Sequence, residues 1–257
     1  MKVVILAGGY GTRISEETDI KPKPMIEIGQ FPIIWHIMKV YSFYGFNEFV
    51  LCLGYKSNCI IEYFCNYYWN TSDITIDFNN NNKTIHSRNA EPWKVTLVDT
   101  GIETMTGGRI RKIKPYVGNE RFLLTYGDGV ADINIPKLVE FHEKHGKIAT
   151  LTSVVPNGRF GSLTISAENK VIDFKEKKDN EDKRINAGFF VLEPEIFELI
   201  EGDYTVFEND PLELLAKMGE LFTFKHEGFW HPMDTLKDKN HLETLWKQKN
   251  APWKIWG

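Results

Sequence analysis

The chain of 257 residues is 42% hydrophobic and 26% charged, proportions that are ordinary for a soluble globular protein. Its formal net charge of −4 argues against non-specific nucleic-acid binding, because that function needs a broad basic surface. The charge does not exclude a small anionic substrate, since a few local cations are enough to bind one.

The three cysteines form neither a metal-binding nor a disulfide pattern, because Cys52, Cys59 and Cys65 are separated by seven and then six positions. Free thiols of this kind are typical of a reducing compartment. The sequence also shows no N-terminal signal peptide and no apolar run near the ~18–20 residues of a membrane span. We therefore expect a cytoplasmic protein that has neither a membrane nor a nucleic acid as its partner.

Strand-like and helix-like patterns alternate in the first half of the chain. Short apolar runs predict strands at residues 3–7, 49–53, 74–78, 95–98 and 122–126. Apolar residues at helical spacing predict helices at residues 33–44 and 60–68, and a basic helix begins near Gly107. This alternation predicts an α/β fold with a mainly parallel, doubly wound (Rossmann-like) sheet that binds ligands at the carboxyl ends of its strands.

The pattern changes near residue 148, where short strands replace the regular alternation. These extra strands are predicted at residues 149–155, 162–165, 171–176 and 185–192. Helical stretches follow at residues 194–200 and 211–218, then a strand at 221–225 and a closing helix after Asp234. We expect a mixed sheet with its extra strands in the C-terminal half. No linker-like segment divides the halves, so a single domain over residues 1–257 is expected.

The first strand leads into a glycine-rich loop, in which residues 8–13 read Gly-Gly-Tyr-Gly-Thr-Arg. Such a turn lets backbone N–H groups approach a phosphate chain closely. Arg13 offers a planar fork of donors for phosphate oxygens, and Lys23 adds a point charge. The loop lacks both the GK[ST] ending of a P-loop and the third glycine of a dinucleotide fingerprint, where Ile14 stands. We predict a triphosphate site here, although a purely structural turn is the alternative.

Several motifs carry a resemblance to a known family. Residues 6–13 with the Lys23-Pro24 pair resemble the signature of the sugar-phosphate nucleotidyltransferases, and residues 127–129, 174–177, 186–190 and 233–235 follow that family in order. The chain is most similar to the glucose-1-phosphate cytidylyltransferase branch, through residues 21–25, 91–93, 97–101, 106–109, 158–161 and 251–254. The resemblance covers essentially the full length.

The resemblance implies an activity, a cofactor and an assembly. The activity is the formation of CDP-glucose and pyrophosphate from CTP and α-D-glucose 1-phosphate, with Mg²⁺, in a homohexamer. The sugar phosphate is already anionic, so its attack on the α-phosphorus needs no general base. The product would supply lipopolysaccharide O-antigen biosynthesis. The alternatives are the same chemistry with UTP or dTTP, a glycosyltransferase, and a non-catalytic nucleotide-sugar sensor.

The resemblance also implies roles for single residues of the nucleotide site. The implied nucleotide-binding residues are Leu6, Ala7, Gly8, Gly9, Gly11, Thr12, Arg13, Lys23, Thr104, Arg109 and Gly127. Arg13 is expected to hold the departing pyrophosphate, and Lys23 to bridge the reacting phosphates. Arg109, with Thr104 or Thr106, is expected to reach the nucleotide of an adjacent subunit.

The implied metal ligands are Asp128, which follows a buried strand, and Asp234, which lies far away in the sequence. Mg²⁺ favours one or two carboxylates together with substrate phosphate oxygens. Without the resemblance, an aspartate between two glycines is equally typical of a turn. The implied sugar-phosphate-binding residues are Glu176, Lys177, Asn186 and Gly188. Lys178 stands where the family usually has proline.

Other candidate residues have a simpler structural interpretation. The segment around Glu176 and Lys177 is dense in charge and is also typical of a solvated surface. His142 and His145 lack the spacing of a zinc site and are expected on a solvated helix face. The tryptophans are expected to anchor the core or an interface, namely Trp93, Trp230, Trp253 and Trp256.

Overall fold

The structure, a computed structural model, describes residues 1–11, 14, 18, 21–87, 89–156, 162–165, 171–175 and 184–257, with the backbone alone for 162–165 and 171–175. Within these residues the strands are β1 (Val3–Leu6), β2 (Glu27–Ile28), β3 (Phe31–Pro32), β4 (Glu48–Leu53), β5 (Ile74–Asp77), β6 (Asn82–Ile85), β7 (Lys94–Asp99), β8 (Phe122–Tyr126), β9 (Gly129–Ala131), β10 (Ala149–Val154), β11 (Ser162–Ile165), β12 (Val171–Lys175), β13 (Ile185–Leu192), β14 (Leu221–Lys225) and β15 (Trp230–Pro232). The α-helices are α1 (Ile33–Phe43), α2 (Ser57–Asn70), α3 (Thr106–Lys112), α4 (Lys114–Val117), α5 (Ile135–His145), α6 (Asp210–Met218) and α7 (Leu236–Lys247).

Seven of the described strands form the main sheet, in the order β14-β10-β13-β8-β1-β4-β7. Strands β8, β1, β4 and β7 are parallel, as are β10 and β14, whereas β13 runs antiparallel between β8 and β10. The prediction of a mainly parallel mixed sheet is therefore confirmed. The chain moves outward from β1 to β4 and then returns to β8 on the other side of β1. Ligands bind at such a reversal of strand order.

The side chains of β1 alternate between two hydrophobic layers, as the strand period of two requires. Val3 and Ile5 pack in a core that includes residues of α1, α2, α5 and α7. Val4 and Leu6 pack on the other face, with residues of α3, α4 and α6. Because helices cover both faces, the central strands are apolar along their whole length, which is why they appear as continuous apolar runs in the sequence.

The hydrophobic pattern located two elements correctly but did not show with which strand, or in which type of helix, they would form. The strand predicted at residues 74–78 exists as β5, but it pairs with β6 in a separate hairpin rather than joining the main sheet. Phe78 follows this strand and is 88% exposed. The helical stretch after β13 is a 3-10 helix, Pro194–Leu199. None of the helices within the described ranges is both long and apolar enough to cross a lipid bilayer.

A buried histidine joins α1 to the C-terminal residues. The Nε2 atom of His36 lies 2.9 Å from the carbonyl oxygen of Ile28, and Trp253 donates from Nε1 to His36 Nδ1 at 3.3 Å. Burial lowers the pKa of His36 to about 4, so the ring is neutral at physiological pH, as these two bonds require. Trp253 is fully buried, and Trp93, Trp230 and Trp256 pack half-buried against the same core. The expected anchoring role of the tryptophans is confirmed.

The prediction that His142 lies on a solvated helix face is wrong. His142 is fully buried, with Nδ1 2.8 Å from Thr150 Oγ1 and Nε2 3.1 Å from Glu193 Oε1. It continues the buried face of α5 that Ile135 and Leu138 begin, at helical spacing. The polar partners, Thr150 and Glu193, lie outside α5, and the pattern of the helix alone does not show them.

We expect Trp253→Ala to lower the free energy of unfolding by about 3–5 kcal/mol, because it opens a cavity and removes the donor to His36. Urea denaturation followed by fluorescence or circular dichroism measures the change. Lys254→Ala is the matched control, since this exposed ammonium lies 5.8 Å from the centre of the Trp246 ring and contributes at most about 1 kcal/mol. Equal losses in the two variants would contradict the anchoring role of Trp253.

Candidate active site

A cleft of about 420 Å³ opens where β1 and β8 end side by side. The strands stay in register up to this edge, and Gly127 donates from its backbone to the Leu6 carbonyl at 3.0 Å. The cleft brings together predicted residues from four parts of the sequence, namely Leu6, Ala7, Gly8, Gly9, Gly11, Lys23, Thr104, Arg109, Gly127 and Asp128. The sheet thus gathers these residues at the edge where ligands were expected.

A second cavity of about 220 Å³ adjoins the cleft, and Tyr126 and Asp128 line both. Asn186 and Asp234 also line this second cavity. Gly188 has a φ of +81° and lies against the Tyr126 ring, so a Cβ at that position would both strain the backbone and collide with the ring. Two of the predicted sugar-phosphate residues therefore lie beside the cleft.

Lys23 lies between the two predicted metal ligands. Its Nζ atom contacts Asp128 Oδ2 and Asp234 Oδ1, each at 2.7 Å, and Lys23 is only 7% exposed. Pairing of β9 with β15 and a backbone hydrogen bond from Met233 to the Asp128 carbonyl bring the two aspartates together. Burial alone would lower the pKa of Lys23, but the two carboxylates raise it above its ordinary value. The amine is therefore positively charged at neutral pH.

The two carboxylates suit a divalent cation that a substrate completes. They lie close enough for one ammonium nitrogen to contact both. Within the described ranges, no group of three or more histidine, cysteine, aspartate or glutamate side chains is placed to hold a metal ion. Mg²⁺ favours this kind of coordination, in which one or two protein carboxylates bind the ion together with phosphate oxygens of the substrate.

Four predicted site residues, Thr12, Arg13, Glu176 and Lys177, lie outside the described residues. Their roles stay predictions.

Arg109 lines the cleft and is held by acceptors of its own chain. The residue is 4% exposed, and its guanidinium donates within this chain. Nη1 donates to the Leu53 carbonyl, Thr100 Oγ1 and the Gly101 carbonyl at 2.6–2.9 Å, and Nη2 to the carbonyls of Gly8 and Ile102 at 3.0 and 3.2 Å. Arg109 therefore fastens the floor of the cleft, and its expected contact with the nucleotide of an adjacent subunit stays a prediction.

The position of the Arg109 guanidinium explains why residue 8 is a glycine. A Cβ on Gly8 would collide with the Arg109 side chain, so only glycine fits above it. Gly11 is glycine for a second reason, because its φ is +67° and its backbone lies against Thr18 and Lys23. Gly9 has open space where a Cβ would stand. The packing of the loop thus requires glycine at positions 8 and 11, and the role of the glycines in admitting a nucleotide stays a prediction.

Comparison with known proteins agrees with this geometry. Residues 2–231 match the family described as nucleotidyl transferase. The chain belongs to the nucleotidyl transferase family. It is 54% identical over 257 residues to glucose-1-phosphate cytidylyltransferase of Salmonella typhi, and the match covers 100% of both chains.

Two solved structures show the fold of this nucleotidyl transferase. HddC from Yersinia pseudotuberculosis has a TM-score of 0.70 at 24% identity, and the match covers 95% of this chain and 99% of that one. A UDP-glucose pyrophosphorylase complexed with UDP-glucose has a TM-score of 0.69 at 18% identity, covering 96% and 98%. At these identities the likeness concerns the fold alone.

Sequence reasoning missed a polar link in this nucleotidyl transferase between the cleft and the second cavity. Glu208 accepts from Tyr126 Oη at 2.5 Å and from Thr106 Oγ1 at 2.6 Å, and Asn186 Nδ2 donates to Tyr126 Oη at 3.3 Å. Burial and the neighbouring Glu208 carboxylate raise the pKa of Tyr126, so the phenol stays a donor. Tyr126 could have been found because it ends a buried strand, whereas nothing in the sequence pattern marks Glu208.

Thr104, a predicted nucleotide-binding residue, also has a structural contact. It is buried, and Lys112 donates from Nζ to Thr104 Oγ1 at 3.1 Å and to the Thr100 carbonyl at 3.0 Å. Thr104 therefore helps to fix the loop that faces the glycine-rich loop across the cleft.

We expect Arg109→Lys to lower the free energy of unfolding by about 2–4 kcal/mol. A single ammonium group cannot reach all five acceptors that now surround Nη1 and Nη2 of the guanidinium. The KM for the nucleotide should rise as well, since the loops on either side of the cleft lose their common anchor. Urea denaturation and steady-state kinetics measure the two effects. Arg111→Lys, on the exposed side of α3, is the control and should behave as the wild type. A fully stable Arg109→Lys variant would contradict the anchoring role.

Proposed function

We propose that this protein transfers the cytidylyl group of CTP to α-D-glucose 1-phosphate, giving CDP-glucose and pyrophosphate. The observation that carries the proposal is the Lys23 ammonium between Asp128 and Asp234, at the junction of two adjoining cavities. The choice of CTP and glucose rests on the name of the relative from Salmonella typhi, which matches along the whole chain.

The cleft binds the nucleotide, with its phosphate chain along the glycine-rich loop, and the second cavity binds the sugar phosphate. A phosphate oxygen of glucose 1-phosphate forms a bond to the α-phosphorus of CTP while the bond from that phosphorus to the β-phosphate oxygen breaks. No proton has to move, because nucleophile and leaving group are both anionic. The protein contributes position and positive charge. Lys23 supplies charge at the reacting phosphates, and Arg13 is assigned to the departing pyrophosphate.

We assign Mg²⁺ to Asp128 and Asp234. When bound, the ion would neutralise charge on the phosphate oxygens, which is the chemistry that Mg²⁺ supplies at phosphoryl groups. The support for this assignment is the donor set, since two adjacent carboxylates suit the ion. Their contact with Lys23 also keeps the two side chains from repelling each other before substrates bind.

The sugar phosphate is assigned to Asn186 and Gly188, with Glu176 and Lys177 as further predicted partners. Asn186 accepts from the Gly188 backbone at 2.9 Å, which fixes its side chain beside the second cavity. An amide offers both donors and acceptors to sugar hydroxyls. Gly188 leaves room for Tyr126, the residue that both cavities share.

We place the reaction in the cytoplasm, where CTP is available. The three cysteines carry free thiols in the structure, as suits a reducing compartment. The hexamer and the supply of lipopolysaccharide O-antigen biosynthesis, both implied by the resemblance, stay predictions. The same chemistry with UTP or dTTP is the nearest alternative, and the sensor without turnover is the second.

The substrates are tested by pyrophosphate release with CTP, UTP, dTTP, ATP and GTP, each against a set of sugar 1-phosphates in the presence of Mg²⁺. We expect the highest kcat/KM for CTP with glucose 1-phosphate, and EDTA should abolish turnover until Mg²⁺ is restored. Preference for UTP would refute the choice of base. Binding of CTP without pyrophosphate release from any pair would favour the sensor.

We expect Asp128→Asn to reduce kcat by two orders of magnitude or more and to weaken activation by Mg²⁺. The reason is that removal of one charged group from the phosphate site raises the activation free energy by about 3–5 kcal/mol. Thermal unfolding should change little, because the amide has the same shape and Lys23 keeps Asp234 as its partner. Glu198→Gln, at an exposed carboxylate paired with Lys114, is the control and should leave kcat unchanged. Near-normal turnover of Asp128→Asn would overturn the metal assignment.

A further inference from the structure

The cleft has two chemically different ends. At one end, Gly11 lies against Lys23, which contacts Asp128. At the other, Gly8 shares the Arg109 guanidinium with Ile102. The glycine-rich loop therefore runs from the segment of residues 102–106 to the charged centre. A nucleotide that has its phosphates at Lys23 and extends along this loop would have its base against residues 102–106, which line the same cleft.

Glu103 is the one ionisable side chain among residues 102–106, whose other members are isoleucine, methionine and two threonines. It lines the cleft and is exposed to it. Tyr10, from the glycine-rich loop across the cleft, donates from Oη to Glu103 Oε1 at 2.5 Å. A carboxylate accepts about four hydrogen bonds, so this single bond orients Glu103 and leaves it capacity to accept more.

The Tyr10 ring has a packed position of its own. It lies 5.2 Å from the Tyr55 ring, centre to centre, at an angle of 43°. The backbone on either side of Glu103 is also held, since Arg109 binds the Ile102 carbonyl and Thr104 is buried against Lys112. Both partners in the Tyr10–Glu103 bond are thus attached to rigid parts of the cleft, which is what a recognition group requires.

We infer that Glu103 determines the choice of base by accepting a hydrogen bond from the 4-amino group of cytosine, with Tyr10 as the residue that positions its carboxylate. A glutamate accepting from the cytosine 4-amino group is an established pairing in base recognition. Uracil and thymine carry a carbonyl oxygen at the same place, and a carboxylate repels that oxygen. The inference rests on the proposed function, because it explains why that site would prefer CTP to UTP.

The test is the ratio of kcat/KM for CTP to kcat/KM for UTP in Glu103→Gln. A glutamine amide can accept from an amine or donate to a carbonyl, so it no longer separates the two bases. We expect the ratio to fall about tenfold or more, mainly through a higher KM for CTP. A merely structural role would lower both values in proportion and leave the ratio unchanged, and that result would overturn the inference.

A nucleotide analogue makes the test specific to one hydrogen bond. The triphosphate of pyrimidin-2-one riboside lacks the 4-amino group and is otherwise like CTP. If Glu103 contacts that group, the loss from the analogue and the loss from Glu103→Gln should not add, because each removes the same interaction. Fully additive losses would place the contact elsewhere and contradict the inference.

Two further variants complete the design. Tyr10→Phe keeps the ring and removes the donor to Glu103, so the CTP-to-UTP ratio should fall by less than in Glu103→Gln. Glu120→Gln is the matched control and should keep the wild-type ratio, because this exposed glutamate precedes β8, at the opposite end of the strand from the cleft, and is absent from the lining of the cleft. If wild-type protein shows no preference for CTP, the proposed function fails. If it prefers CTP and Glu103→Gln retains that preference, the inference about Glu103 alone fails.

Discussion

The site depends on one buried guanidinium. Arg109 binds the carbonyls of Gly8 and Gly101, which lie two positions beyond β1 and β7, and the last carbonyl of β4, so that it joins the carboxyl ends of three parallel strands. Backbone hydrogen bonds also cross between the segments that follow these strands, since Tyr55 donates to the Gly8 carbonyl at 3.1 Å and Thr100 to the Leu53 carbonyl at 3.0 Å. The guanidinium adds further donors to the same two carbonyls. A buried arginine can do this because its planar fork presents five donors in fixed directions. The floor of the cleft is rigid for that reason, and the absence of a side chain at Gly8 is the space that Arg109 needs.

A second interaction places charge above this floor. Lys23, Asp128 and Asp234 come from three distant segments and meet where β1 and β8 end side by side. Two carboxylates around one ammonium carry a net negative charge, which suits the proposed Mg²⁺. The ammonium itself suits the phosphates of the proposed substrates. Transfer of a nucleotidyl group between two anions requires alignment and neutralisation rather than a base. The polar link from Thr106 through Glu208 to Tyr126 then connects the wall of the nucleotide cleft with the cavity assigned to the sugar.

The regular elements were largely predictable because their signals are local. Continuous apolar runs marked the central strands, and the predicted strand at 122–126 coincides with β8. The short strands β2, β3, β6, β9 and β15 were not predicted, and some elements that were predicted have unexpected partners. The strand at 74–77 was recognised, but its pairing with β6 outside the main sheet depends on where the chain turns back. His142 was misjudged because its polar partners, Thr150 and Glu193, come from β10 and the segment after β13.

The sequence by itself determined the family and the strands of the main sheet, and it singled out many of the residues that line the cleft. Short-range patterns and complete motifs carry that information. The tertiary structure alone decided what several of these residues contact. Arg109 belongs to a nucleotide-site motif but binds carbonyls of its own chain, and Glu208 and Glu103 carry no motif signal at all. The physical reason is that a buried donor or acceptor must be satisfied by whatever the folded chain brings near it, and those partners lie about a hundred positions away.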